Sequence, residues 1–333
     1  MSRPAAGGEG DGVMGAAEWG QLLALSGLWG ATFMFVEVAL AGGLPPLTLA
    51  LLRVALAAAS LRLLLRLTGP RRPLTTDTRS SWPAFAAMGT LNNVIPFGLI
   101  FWAQQHVTGG SAAILNATTP LWSVLLAGLV TREEALRPIR LAGVLLGVAG
   151  VAVVVGPAGL LAGFGDGGGG RAVVAQGAVL LAAGCYACAG IYGRRLRSLP
   201  PASAAAGQLT ASALIILPAA CLLERPWALP MPGRAALAAV AGLALLSTAL
   251  AYVVYFRLLR SAGATNLLLV TLLIPPSALL LGAGLLGEPV EPRQLAGMAL
   301  IGAGLAAIDG RPLRKFAART SRKAARGVRP GRP

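Results

Sequence analysis

TPLWSVLLAGLVTREEALRPIRLAGVLLGVAG, residues 119–150, and IPPSALLLGAGLLGEPVEPRQLAGMALIGAG, residues 274–304, are two versions of one pattern. Each has an apolar run opened by a proline, a turn carrying glutamate, and a second apolar run rich in glycine. Pro120 pairs with Pro275 at a separation of 155, and Leu141-Ala142-Gly143 pairs with Leu295-Ala296-Gly297 at 154, so one residue is lost at the intervening turn. An internal repeat made of span-length apolar runs is the sequence mark of a membrane protein assembled from repeated helix bundles.

Outward from these copies the rest of the chain has the same character. Hydrophobic residues make up 56% and charged residues 12%, whereas a soluble domain carries about a quarter charged. A spanning helix needs about 20 mostly apolar residues. Runs of that length occur at 19–40, 45–67, 82–104, 109–130, 138–157, 172–193, 201–223, 233–256, 262–286 and 292–309. The sequence therefore predicts an all-α integral membrane protein with ten transmembrane helices in two five-helix repeats. Residues 1–18 form a cytoplasmic N-terminal segment, 19–157 the first repeat, 158–171 a glycine-rich linker, 172–309 the second repeat, and 310–333 a basic cytoplasmic tail. Five is odd, so the second repeat enters the membrane from the opposite side and the repeats are inverted. The first run is expected to be a retained helix, because Arg3 is outweighed by Glu9, Asp11 and Glu18 where a signal peptide would be basic.

The formal net charge of +16 raises the question of nucleic acid. The placement of the charges answers it. With the N-terminus cytoplasmic, 23 of the 28 basic residues fall on the cytoplasmic side and Arg171, Arg225, Arg234 and Arg293 on the other, with Arg53 inside a span. That is the positive-inside bias of a multi-pass protein with both termini cytoplasmic. The tail after Asp309 lacks aromatic interleaving beyond Phe316, which excludes a nucleic-acid platform and leaves anionic lipid head groups as its expected neighbour. The linker AGLLAGFGDGGGGR has glycines but no following Lys-Ser or Lys-Thr, so it is read as a connector and not as a phosphate cradle.

Polar groups inside spans are costly and therefore informative. The third run, LNNVIPFGLIFWAQQ, puts Asn92 and Asn93 one turn before Pro96, with Gln104 and Gln105 near its far end. A proline removes a backbone donor and frees a carbonyl one turn earlier, which predicts a bend near Asn92. Asn116, Thr118 and Thr119 precede Pro120, and Asn266 and Thr271 precede Pro275 and Pro276 in the repeat-related position. Singly, each amide could serve only to bond neighbouring helices; together they favour a midplane cavity between repeats. Trp29, Trp102, Trp122, Tyr186, Tyr252 and Tyr255 are candidate walls, whereas Trp19, Trp82 and Trp227 fit the membrane interface. Gly143, Gly147 and Gly150, with Gly297, Gly302 and Gly304, are read as close packing of the fifth and tenth helices. Whether the Gly143–Gly147 spacing also makes a homodimer face stays open.

Glu37 near the end of the first run and Arg53 two turns into the second lie at similar depth on neighbouring helices, an arrangement suited to a structural ion pair, an outer gate or a proton-coupling site. Cys185 and Cys188 sit in an apolar run, and with one histidine, His106, no four-ligand metal site is visible. No metal or cofactor is called for. No zinc-protease, nucleophile-elbow or Walker motif occurs, which argues against an enzyme or an ATP-driven pump.

The segments LLALSGLWGATFMFVEVAL, PPLTLALLRVAL, LNNVIPFGLIFWAQ, ILNATTPLWSVLLAGLVTREE and AYVVYFRLLRSAGA, taken in order, resemble the EamA-type branch of the drug/metabolite transporter superfamily. The resemblance covers about residues 19–309. It implies a ten-helix inverted-repeat fold in a bacterial inner membrane, moving small metabolites, often outward, without an ATPase. It also implies a cavity lined by helices 1, 3, 4, 6, 8 and 9. The resulting expectation is an exporter of amino acids or similar neutral or zwitterionic solutes by alternating access, with a small-molecule substrate, the lipid bilayer and a coupling proton as partners. Asn92, Asn93, Asn116, Asn266 and Thr271 would hydrogen-bond substrate, Trp29, Trp102 and Tyr252 would pack on it, and Glu37, Arg53, Pro96, Pro120 and Pro275 would serve gating or coupling. The alternatives are import of sugars or nucleotide derivatives, and a scaffold or sensor without flux.

Overall fold

The computed structural model describes residues 14–68, 78–130, 138–162, 169–196, 199–267 and 269–309, and among these it is helical without a strand. The helices are α1 (Ala16–Ala41), α2 (Pro46–Thr68), α3 (Thr78–Gly89), α4 (Ile95–Ala103), α5 (Gly109–Asn116), α6 (Thr119–Val130) and α7 (Pro138–Ala162). They continue with α8 (Gly169–Tyr192), α9 (Pro201–Leu223), α10 (Arg234–Ala241), α11 (Ala251–Leu267), α12 (Val270–Leu281) and α13 (Pro292–Asp309). A π segment, Thr90–Val94, joins α3 to α4; a second, Gly242–Leu250, joins α10 to α11; a third, Gly282–Leu286, extends α12.

Among the described residues six helices are long and apolar enough to cross a membrane: Ala16–Ala41, Pro46–Leu67, Ser81–Ala103, Gly170–Tyr192, Ala202–Leu223 and Arg234–Tyr255. Leu141–Gly156 and Val270–Leu286 are shorter apolar helices. In hydrocarbon a helix satisfies its own backbone groups, which is why runs this apolar take no other form. Their outward faces carry Leu63, Leu67, Leu181, Leu222 and Leu280, all exposed. Their inward faces bury alanine and glycine beside large side chains such as Leu22, Leu25, Leu49, Phe85 and Phe101, with a few polar groups, so small residues let the helices approach and large ones fill the space between.

The most extensive helix contact is between α7 and α13, followed by α2 with α9. Helix α1 lies on α12 and on the α10–α11 rod, while α8 lies on α5 and α6 and on α4. Glycines set these crossings. A Cβ built on Gly150 would stand 2.8 Å from the Gly297 carbonyl oxygen, one on Gly297 would stand 2.7 Å from that of Gly150, and one on Gly304 would stand 2.5 Å from that of Gly143. The α7 glycines therefore face α13 within the chain, with Gly147 also against Leu121. Gly30 meets Ser277 in the same way where α1 crosses α12, and Ser26 and Ser277 share a 3.2 Å hydrogen bond there.

Two details differ from the sequence reading. The turn expected between the runs 233–256 and 262–286 is helical, because α11 continues through Leu267. Residues 257–261 contain neither glycine nor proline, so nothing there interrupts the hydrogen-bond ladder. At the end of the first half, helical geometry is broken at Gly156 (φ 75°), followed by Pro157, while residues 158–162 of the expected linker are assigned to α7. Residues 1–13, 163–168, Glu133, Glu134 and the basic tail from 310 lie outside the described residues.

Candidate functional site

The bend expected before Pro96 is a π turn. Thr90–Val94 takes one extra residue per turn, and Pro96, which has no N–H to donate back into it, follows as the second residue of α4. Asn92 and Asn93 sit on this turn. Asn93 is buried and donates from Nδ2 to Ser212 Oγ at 2.9 Å; Ser212 in turn donates to the Gln208 carbonyl at 2.7 Å, fixing the π turn to α9. A second interruption falls at Ala117-Thr118, between α5 and α6, just before Pro120. Thr118 and Thr119 back-bond to the carbonyls of Leu115 and Asn116, at 2.7 and 2.8 Å.

Between these irregular segments lies a cavity of about 800 Å³. Trp29, Asn92, Asn93, Asn116, Tyr252 and Thr271 line it as the sequence reading expects. The ring of Trp29 stands 5.8 Å from that of Tyr255, which also lines the cavity with Tyr186, Phe97 and Phe101. Gln208 Nε2 donates to the Tyr252 hydroxyl at 3.3 Å. Asn116 and Ser247, both in the walls, each have a buried polar atom, Oδ1 and Oγ, with no hydrogen-bond partner among the described residues.

Several expected residues lie elsewhere. Trp102 is not a wall; its ring packs edge-on against His106 at 5.1 Å. Phe97 and Phe101, one turn apart and stacked at 5.6 Å, hold the cavity face of α4, and a residue one step on from Phe101 is rotated about 100° around the helix. Trp122 likewise turns away, 36% exposed. Pro96, Pro120 and Pro275 shape the backbone around the cavity without lining it. The side chain of Asn266 lies outside the described residues.

The expected pairing of Glu37 with Arg53 is absent, and each has different company. Arg53 lines the cavity at 7% exposure, its guanidinium 4.2 Å above the centre of the Phe97 ring and its Nε donating to Thr248 Oγ1 at 3.3 Å. Thr248 donates to the Leu243 carbonyl five residues back, the spacing of the π segment that carries it. Glu37 points to the start of α5, where it meets the Glu288 carboxyl. The Gly109 amide donates to Glu288 Oε1 at 3.2 Å, and Glu37 Oε2 is buried beside it with no hydrogen-bond partner among the described residues. Similar depth on adjacent helices left the direction around each helix undetermined, and that direction separates the two charges. Gln208, Ser247 and Thr248 were missed as site residues, although each is a polar residue in an otherwise apolar run.

Comparison with known proteins agrees with this architecture. The EamA-like transporter family model matches residues 18–156 and 175–308. The chain is 28% identical over 283 residues to "Uncharacterized inner membrane transporter YedA" of Escherichia coli K12, covering 82% of this chain and 84% of that one. It is 28% identical over 290 residues to a Streptantibioticus cattleyicolor protein named "Probable terminal-alkyne amino-acid exporter", covering 86% and 91%. Protein PecM of Dickeya dadantii is 28% identical over 229 residues, covering 66% and 71%. One solved crystal structure shares the fold, with a TM-score of 0.61 at 20% identity over 88% of this chain and 97% of the other. An apolar helical chain matched by one transporter family over most of its length, with a walled cavity among its helices, is a membrane protein of the EamA-like transporter family, within the drug/metabolite transporter superfamily.

Proposed function

We propose that this chain is a secondary transporter that exports amino acids or similar neutral or zwitterionic metabolites across a bacterial inner membrane by alternating access. The observation that carries this reading is the cavity of about 800 Å³, whose polar residues come from both halves of the chain. That volume suits a small metabolite. The paired contacts support two inverted five-helix repeats, ten spans in all: α7 meets α13 and α2 meets α9, while α1 on α12 has its counterpart in α8 on α5 and α6. The joined pieces α3–α4, α5–α6 and α10–α11 would each cross as one interrupted rod. The name of the Streptantibioticus relative supports the amino-acid class and outward direction, and that of the E. coli relative the inner membrane.

In this reading Asn92, Asn93, Asn116 and Thr271 contact substrate, with Trp29 and Tyr252 packing on it, and Asn266 is assigned to the same group from its position. Pro96, Pro120 and Pro275 let the rods bend as the cavity opens to each side in turn. Glu37, with Glu288, is the proton-coupling candidate. The test is expression in a bacterium lacking metabolite exporters, with untargeted mass spectrometry of the medium, beside Asn92→Leu at matched abundance. A small molecule released only by the parent is expected. Release equal in parent, variant and empty vector, with both proteins folded in the membrane, would refute export; net inward movement would establish the import alternative.

A further inference from the structure

One charged group lines the cavity, and it lacks an acidic partner. Arg53 is 7% exposed, and among the described residues no carboxylate lines the cavity with it. Glu37, the nearest acid along the chain, is engaged at Gly109 with Glu288. A buried cation is expensive unless paired and hydrogen-bonded. Arg53 has half of that: Phe97 covers one face of its guanidinium, and Thr248 takes its Nε–H. No described residue accepts a hydrogen bond from its two Nη groups. These present a planar fork, the geometry that binds a carboxylate through two parallel hydrogen bonds.

We propose that Arg53 is the receptor for a substrate carboxylate, and that the cavity takes small carboxylic acids with an apolar body, α-amino acids first among them. The surroundings fit the rest of such a molecule. Asn116 and Ser247, next to Thr248, line the same wall, and their Oδ1 and Oγ, buried just behind its surface, have no hydrogen-bond partner among the described residues, leaving each an unused acceptor for an amine. The aromatic rings of Trp29, Tyr255, Phe97 and Phe101 offer an apolar side chain its walls. Arg53 is thereby moved from the gating role expected of an ion pair to direct contact with substrate. This assignment rests on the transporter reading and narrows its substrate class.

The experiment uses the purified full chain, with the twenty proteinogenic amino acids and their α-carboxamides as probes. Stabilisation is read by intrinsic-fluorescence melting in detergent, and release is read from loaded proteoliposomes by mass spectrometry. A subset of the acids should raise the melting temperature and leave the liposomes, while the matching amides do neither. Arg53→Gln should weaken both effects about tenfold or more, the usual loss when a charged hydrogen-bond partner is removed. Amides acting as well as acids, or Arg53→Gln behaving as the parent, would overturn the assignment and leave the transport reading standing. Stabilisation by acids that depends on Arg53 but comes with no release would uphold the receptor and overturn transport. No stabilisation and no release by any probe would overturn both. If Arg53→Gln does not fold, Arg53→Lys serves: it keeps the charge but loses the planar fork, and an unchanged response in it counts against the receptor.

Discussion

Glu37 and Glu288 bring two carboxyls together at one backbone amide, and a pair of facing carboxyls is a place where a translocated proton can be carried. Glu37→Gln removes one of the pair while keeping its size. Its expected effect is to abolish the part of substrate flux that responds to a proton gradient, with gradient-free exchange retained. Proteoliposome flux with and without an imposed gradient measures this, and an unaltered gradient response would remove Glu37 from coupling. At this scale the sequence was a good guide where a polar residue stood shortly before a proline in an apolar run. Asn92, Asn93, Asn116 and Thr271 were legible for that reason. What could not be read was the direction a side chain takes around its helix axis beyond an interruption, and so Trp102 was placed in the cavity and Arg53 beside Glu37. Gln208 was overlooked for a different reason: no proline or second amide stands beside it to draw notice.

Elements were legible as runs, and their interruptions only where a proline marked them. Pro96 and Pro120 each follow a break, but the nine-residue π segment Gly242–Leu250 has no proline within it. Its widened turns are matched by the Thr248 hydroxyl bonding five residues back, a local choice that leaves no composition signal beyond Ser-Thr. The contact of α7 with α13 was foreseen from glycine spacing, and it makes a sharp contrast. Gly304→Ala puts a methyl 2.5 Å from the Gly143 carbonyl oxygen, whereas at Gly302 nothing lies within 4 Å. Gly304→Ala should cost about 1–3 kcal/mol as the helices shift to make room. Gly302→Ala should be neutral or slightly stabilising, since alanine is the better helix former. Melting temperatures of the two variants in detergent decide it, and equal values would refute the packing account.

Across the whole molecule, one half helps to finish the other. Glu224 at the end of α9 accepts hydrogen bonds from the amides of Leu47 and Thr48, at 2.9 and 2.6 Å, and from the Thr48 hydroxyl at 2.8 Å, so it caps α2 from 176 residues away. A carboxylate there satisfies orphan amides and meets the positive end of the helix. Glu224→Ala should lower stability by about 1–2 kcal/mol, read as faster amide exchange at the start of α2 and a lower melting temperature. Unchanged exchange there would mean that the cap contributes nothing. Such long-range completion was invisible in the sequence, where Glu224 is only a charge at the end of an apolar run. The α7–α13 seam has a further consequence, for mutational history. Gly150 and Gly297 each face the other's carbonyl. When a position facing a large side chain is enlarged, shrinking that neighbour restores the fit; here each partner is already the smallest residue there is. The two glycines thus cannot compensate for each other, whereas Val154, whose side chain also faces Gly297, can shrink, so selection for suppressors of Gly297→Ala should return substitutions at Val154 or farther off and not at positions 143, 147 and 150.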